Sequence, residues 1–362
     1  MHLLADTVPR FAAVDLLPTP AQLRDEIPLP LRAGNAVHQA RDAITRVLHG
    51  TDDRLVVVAG PCSVHDPAAA LSYAERLLAL ADRTADDVIV VMRVYVEKPR
   101  TRLGWKGLVS DPDLNGSDDL GGGLRLSRRL MVEIANAGLP VACEFLDPVP
   151  HRYLSDAVSW SCIGARTVQS PVHRQFASGL HMPVGIKNAT NGGVEDAVDA
   201  IVTASRGHVF PGITEDGQAA VVATTGNPDC HVVLRGGSDG PNYTSAHVAR
   251  ALGLLGAAGL PPRVFIDASH GNSGKDHRRQ AAVVADIAGQ VEDGQHGIAG
   301  VMLESFIVPG RQELVLGEAH RLTFGQSVTD ACVGWRETVR MVEQLARAAA
   351  ARRPVHRSAL AA

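Results

Sequence analysis

Lysine is nearly missing from this chain of 362 residues: only Lys98, Lys106, Lys187 and Lys275 stand against thirty-one arginines. Aromatic residues make up 4%, so the core must be built from small and branched side chains, which suit layered α/β packing. No apolar run approaches the roughly 20 residues of a membrane-spanning helix, which argues against a membrane protein. The N-terminus, Met1–Pro20, carries Asp6 and Asp15 and lacks the basic start of a secretory signal. The cysteines, Cys62, Cys143, Cys162, Cys230 and Cys332, are odd in number and widely spaced. They do not read as a disulfide framework, and a reducing cytoplasm is expected. Positive charge is not in excess. A net charge of −4 argues against a nucleic-acid partner, which needs a basic face. Without export, the sequon-like triplets at Asn115, Asn188 and Asn242 carry no meaning.

What the chain does have is a rhythm. Eight short apolar runs each end in a residue able to bind a metal, a phosphate or a carboxylate. They end at Cys62, Arg93, Glu144, Arg166, Lys187, Arg235, His270 and Glu304. Helical spacing fills most of the intervals, as over Pro67–Ala81, Leu124–Ala137 and Ser245–Ala258. The alternation predicts a parallel (β/α)8 barrel of the TIM type, whose strand ends converge on one mouth. An open doubly wound sheet is the alternative, but Gly60-Pro61-Cys62-Ser63 lacks its glycine fingerprint. Gly271-Asn-Ser-Gly-Lys275 also lacks the spacing and the Ser/Thr of a phosphate loop.

The expected organisation is an N-terminal arm and helix over 1–50, a catalytic barrel over 51–349 and a frayed tail over 350–362. Residues 1–32 read as an arm lying on a neighbour, and Asn35–Leu48 as a helix. One interval departs from the rhythm. Residues 207–226 read as an inserted hairpin, with His208–Ile213 and Ala219–Thr224 flanking Glu215-Asp216-Gly217. A last helix is expected over Asp330–Ala349.

Arg93, Lys98, Arg100, Arg166, Lys187 and Arg235 lie at or just past strand ends. Each alone would more often be a surface ion-pair partner. Together they suit a ligand with several negative charges, such as a phosphate plus a carboxylate. Lysine is a compact ammonium and arginine a flat fork. A chain that uses arginine almost everywhere is expected to keep lysine where a fork will not fit, which points to Lys98 and Lys187. Lys106 and Lys275 carry the same argument more weakly. Cys62, His270, Glu304 and Asp330 offer one sulfur, one nitrogen and two carboxylates, a set that suits Mn, Fe, Co or Zn. Spacing alone does not announce that site. Cys62 could be a small buried hydrophobe, and Asp330 an N-cap for the last helix.

Nine stretches between about residues 55 and 335 carry a family resemblance. They include Gly60-Pro-Cys-Ser-Val-His-Asp-Pro67, Met92-Arg-Val-Tyr-Val-Glu-Lys-Pro-Arg-Thr101, Ile163-Gly-Ala-Arg-Thr167, Asp267-Ala-Ser-His-Gly-Asn272 and Ser327-Val-Thr-Asp-Ala-Cys-Val-Gly-Trp335. In these the sequence resembles the type I 3-deoxy-D-arabino-heptulosonate 7-phosphate (DAHP) synthases. The resemblance implies condensation of phosphoenolpyruvate with erythrose 4-phosphate, the first step of the shikimate pathway. It implies one divalent metal ion on Cys62, His270, Glu304 and Asp330. Phosphoenolpyruvate would be held by Arg93, Lys98, Arg166, Lys187 and Arg235. The sugar phosphate would be held by Arg100 and Thr101, with Lys106 nearby. Glu144 would lie beside the reacting centre, and Lys98 would protonate the new alkoxide, its pKa lowered by surrounding cations.

The resemblance further implies a homodimer or homotetramer and an aromatic amino acid effector near the hairpin. There the chain departs from the family: Glu215 replaces a frequent lysine, His181 a frequent serine, and Pro148–Arg152 an unfamiliar run. Asp111-Pro-Asp-Leu-Asn-Gly116 resembles the tryptophan-sensitive branch. A secondary-metabolism copy without feedback, a sister synthase for another aldose phosphate, and a non-catalytic paralogue are the alternatives.

Overall fold

The computed structural model describes residues 15–100 and 102–360. Thr101 lies outside the described residues.

Eight parallel strands close into one barrel: β1 (Leu55–Gly60), β2 (Val88–Arg93), β3 (Val141–Glu144), β4 (Trp160–Ile163), β5 (Val184–Lys187), β8 (Cys230–Leu234), β9 (Val264–Asp267) and β10 (Ile298–Glu304). The two remaining strands, β6 (Val209–Ile213) and β7 (Ala219–Ala223), form a separate antiparallel hairpin between β5 and β8. The helices are α1 (Pro20–Glu26), α2 (Leu31–Leu48), α3 (Pro67–Thr84), α4 (Leu120–Asn136), α5 (His151–Leu154), α6 (Pro171–Ala177), α7 (Glu195–Ala204), α8 (Ser245–Ala257), α9 (Gln280–Glu292) and α10 (Trp335–Leu360).

Every barrel strand is buried along its length, as a sheet covered by helices requires. The interior is filled by side chains. Trp160 and Phe265 stack 5.8 Å apart at 2°, and His231 sits 4.4 Å from Phe265. Glycines make room for these rings. A Cβ on Gly185 would fall 2.3 Å from the Trp160 ring, and one on Gly300 2.7 Å from the Phe265 ring. Ile44, Val47 and Leu48 of α2 pack into the same cluster, so α2 closes the end of the barrel opposite the mouth.

Local signals set several boundaries. Asp66 accepts from the amides of Ala68 and Ala69 and caps α3, with Pro67 as its first residue. Thr19 and Gln22 form a reciprocal capping box that starts α1. This helix falls within the arm read from sequence. Its described part packs on its own barrel: Leu23 is fully buried, and the buried Arg128 donates to the Ile27 carbonyl. The last helix starts at Trp335 rather than Asp330 and continues to Leu360, past the expected fraying point. Asp330 therefore caps no helix.

Candidate active site

The strand ends bring scattered residues to one mouth. Strand pairing places Gly60 opposite Glu304, so the loop after β1 starts beside the last residue of β10. Ser305 donates its amide to the Gly60 carbonyl, and Val333 donates to the Glu304 carbonyl. The hydroxyls of Ser63 and Thr329 lie 2.7 Å apart, which ties the loop carrying Cys62 to the segment carrying Asp330. Donor atoms of Cys62, Glu304 and Asp330 all lie within 4.8 Å of one another. His270 Nε2 stands 3.6 Å from Glu304 Oε1.

The imidazole of His270 is aimed from behind. Its residue is left-handed, with φ +50°, a conformation that costs a non-glycine residue roughly 1–2 kcal/mol. Nδ1 lies 2.9 Å from Asp267 Oδ2 and 2.7 Å from Ser269 Oγ. A carboxylate on Nδ1 fixes the tautomer and leaves the Nε2 lone pair facing the cluster. One sulfur, one nitrogen and two carboxylates fit a borderline divalent ion better than Mg or Ca. The donor set therefore fits a metal of that class.

Beside the cluster opens a cavity of about 800 Å³. Arg93, Lys98, Arg166, Lys187 and Arg235 all line it, with Glu144, His270 and Asp330. Arg93, Lys98 and Lys187 each face an acid. Arg93 lies 3.2 Å from Glu304, Lys98 3.1 Å from Asp330, and Lys187 3.2 Å from Asp267. Arg93 also donates to the carbonyls of Pro61 and Cys62 and stacks over Tyr95 at 3.6 Å. Its fork thus shapes the loop carrying Cys62. Arg235 forms no ion pair among the described residues; burial lowers its pKa, and Arg166 adds to that. A Cβ on Gly164 would fall 2.3 Å from Glu144 Oε1, so the glycine after β4 makes room for that carboxylate.

Lys98 corrects one expectation. Its neighbours are acids rather than cations: Nζ sits 2.7 Å from Cys62 Sγ and 3.1 Å from Asp330. Burial alone would lower its pKa, but Cys62, Asp330 and Glu304 raise it above the usual lysine range. Burial, with Glu304 adding, pushes the Cys62 thiol up to about 11. Asp267 is fully buried, which opposes its charge, yet His270, Lys187 and Arg93 hold it well below the usual carboxylate range.

Arg100 and Lys106 stand apart from the central cavity. Arg100 Nε donates to the Trp105 carbonyl, and both side chains line a neighbouring hollow that also holds Arg311. The six cations read from sequence as one group are thus five at the cavity and one beside it.

Matches to known proteins agree with this geometry. The profile of the DAHP synthetase I family matches residues 29–343. The Phe-sensitive phospho-2-dehydro-3-deoxyheptonate aldolase of Escherichia coli (strain K12) is 50% identical over 339 residues, covering 94% of this chain and 96% of that protein. The Trp-sensitive enzyme of Enterobacter agglomerans is 49% identical over 339 residues, covering 94% and 97%. The solved aldolase of the same name from Francisella tularensis SCHU S4 superposes with a TM-score of 0.92 at 46% identity, covering 95% and 99%. The chain belongs to the DAHP synthetase I family. It is an enzyme, a transferase of the DAHP synthase type that forms a carbon–carbon bond.

Sequence reasoning missed several residues that support this DAHP synthase site. Asp267 ends β9 inside a quoted motif, yet only His270 was read from that motif. Gln280 clamps the Glu304 backbone, donating to its carbonyl and accepting its amide. Three buried asparagines stitch the ends of β5, β8 and β9 together. Asn188 accepts the Arg235 amide, Asn242 the Gly236 amide, and Asn272 the Asn242 amide. Two of them, Asn188 and Asn242, head the triplets dismissed as sequons. These loops approach closely enough that a Cβ on Gly236 (φ +68°) would fall 2.5 Å from Gly271.

Proposed function

We propose that this DAHP synthase condenses phosphoenolpyruvate with D-erythrose 4-phosphate to give DAHP and phosphate, with one divalent ion (Mn, Fe, Co or Zn), as the first step of the shikimate pathway in the cytoplasm. The observation that carries this reading is five cations around one cavity, beside a Cys62, Glu304, Asp330 and His270 donor set. The catalytic barrel is assigned to residues 51–349.

Arg166, Lys187 and Arg235 bind the phosphate and carboxylate of phosphoenolpyruvate, with Arg93 and Lys98 at the side nearer the donor set. When bound, the ion supplies Lewis acidity toward the aldehyde. C3 of phosphoenolpyruvate attacks the aldehyde carbon, and Lys98 gives a proton to the new alkoxide. Glu144 faces the reacting centre. Water adds at C2, and the cations stabilise the phosphate as its C–O bond breaks. Arg100 and Thr101 take the phosphate of the sugar, with Lys106 beside them.

An aromatic amino acid effector is assigned to a second cavity, about 550 Å³, under the hairpin. Phe176, Leu180, Phe210 and Val222 give it apolar walls, and Arg152, Gln175 and His181 add a few polar groups, a composition that suits such a ligand. Relatives named for Phe and Trp sensitivity support this. The outer face of the hairpin exposes Val209 and Val221, 69% and 79%, which supports assembly into a homodimer or homotetramer.

The test is phosphate release from phosphoenolpyruvate by metal-stripped protein reloaded with each ion. Erythrose 4-phosphate is compared with arabinose 5-phosphate, with and without Phe, Tyr or Trp. Turnover only with the five-carbon sugar would establish the sister synthase instead. Lys98→Met should abolish turnover while metal still binds; unchanged turnover removes Lys98 from the mechanism.

A further inference from the structure

Glu97 is a buried carboxylic acid that the chemistry above does not use. It is the residue before Lys98, and its side chain points away from the cavity toward the loop after β3. There Oε2 accepts the amide of Leu146 at 3.3 Å, and the amide of Asp147 adds a second hydrogen bond. The Leu146–Asp147 peptide, whose amide Glu97 accepts, is held on its other side by His173 Nε2, 2.7 Å from the Leu146 carbonyl oxygen. That loop begins at Glu144. Glu97 therefore joins the loop carrying Lys98 to the loop carrying Glu144.

The backbone around Glu97 is fixed independently. Lys98 donates its amide to the Lys106 carbonyl at 2.7 Å, and Val109 donates to the Val96 carbonyl. Gly107 packs on this strap so closely that a Cβ there would fall 2.7 Å from Glu97 Cα. With the backbone held on one side and the carboxyl on the other, the Lys98 side chain leaves the strap in one direction. It reaches Cys62 Sγ at 2.7 Å.

We propose that Glu97 is a positioning residue: by clasping the Leu146–Asp147 amides it sets where Lys98 meets the substrates. This rests on the reading of Lys98 as the proton donor. Desolvation, with Asp147 and Glu144 nearby, pushes the Glu97 carboxyl up to about 8. Near neutral pH the acid is therefore mostly uncharged, and glutamine copies its charge, size and acceptor oxygen.

The experiment uses the full-length, Mn-loaded enzyme and measures kcat, both KM values and thermal unfolding. Glu97→Leu should lower kcat at least tenfold with KM for phosphoenolpyruvate within twofold. Glu97→Gln should stay within threefold of wild type. Should Glu97→Leu not fold, Glu97→Asp, one methylene too short for the clasp, should still lower kcat about threefold or more. The inference is overturned if folded Leu or Asp variants turn over like wild type, if the Leu variant loses KM for phosphoenolpyruvate rather than kcat, or if folded Gln fails as badly as Leu. A wild-type enzyme that makes no DAHP would overturn the functional reading itself, a distinguishable result.

Discussion

Replacing Asp267 by asparagine tests the electrostatics of the site most directly, because this one carboxylate serves two assigned ligand-binding residues. Its Oδ2 faces Lys187 Nζ at 3.2 Å and His270 Nδ1 at 2.9 Å, while Oδ1 accepts the amide and hydroxyl of Ser269. Asparagine with its oxygen toward Ser269 would turn an NH2 group toward the ammonium and the imidazole, so donors would face donors. Lys187 is 4% exposed in its side chain and would lose its counter-ion. Breaking a buried pair in this way costs about 3–5 kcal/mol. At roughly 2–3 °C per kcal/mol for a domain this large, melting should fall by about 6–15 °C. Loss of the carboxylate behind a metal-binding histidine should weaken the ion about 10–100-fold. Ser269→Ala is the comparison, since it removes the hydroxyl from Asp267 and His270 but leaves the carboxylate charge in place, and should cost about 1.5–3 kcal/mol. Differential scanning calorimetry and Mn titration read both effects. An Asp267→Asn protein that melts with wild type and holds Mn equally well would show that neither Lys187 nor His270 depends on this charge.

Three further outcomes follow from the scaffold. Burial holds His231 down to about 4; Trp160 Nε1 donates to its Nε2, and its Nδ1 faces the Asp229 carbonyl. The unfolded chain takes up this proton first, so stability present above about pH 6.5 is lost as pH falls toward 4, by up to about 1.4 kcal/mol per pH unit. His231→Gln should flatten the urea-midpoint slope over that window by one proton; an unaltered slope refutes the assignment. Gly300→Ala sets a methyl 2.7–2.8 Å from three carbons of the Phe265 ring, which Trp160 prevents from moving, so melting should drop by an equivalent of about 1–3 kcal/mol. Arg128→Leu strands Asp156 and the carbonyls of Ile27 and Tyr153; proteolysis should then cut before α2 well ahead of the barrel, and equal cleavage rates would count against the anchor.

How far the sequence could be read depended on whether a residue's neighbours are set by strand order or by side-chain reach. The barrel was legible because each strand is a short apolar run with a polar residue at or just past its end; that periodicity belongs to the backbone and needs no tertiary information. The same logic placed Arg93, Glu144, Lys187 and Glu304, each the last residue of its strand. Residues beyond the strand ends were harder. Lys98 and Arg100 sit two positions apart in one loop, yet the first reaches Cys62 while the second turns to the Trp105 carbonyl. Nothing in the spacing separates them, because loop direction is set by contacts such as Gly107 against Glu97. The charge state of Lys98 was misjudged for a related reason. Counting cations along the chain gave a positive mouth, whereas Cys62, Glu304 and Asp330 arrive from β1, β10 and the final loop. A buried charge is governed by its nearest few ångströms, and those are filled here by residues more than 200 positions away from Lys98 in the case of Asp330. Asp267, Gln280 and the three asparagines escaped notice because a supporting residue is defined by what it touches. From sequence alone, Asp267 is one acid among 39 acidic residues; only the fold puts it between Lys187 and His270.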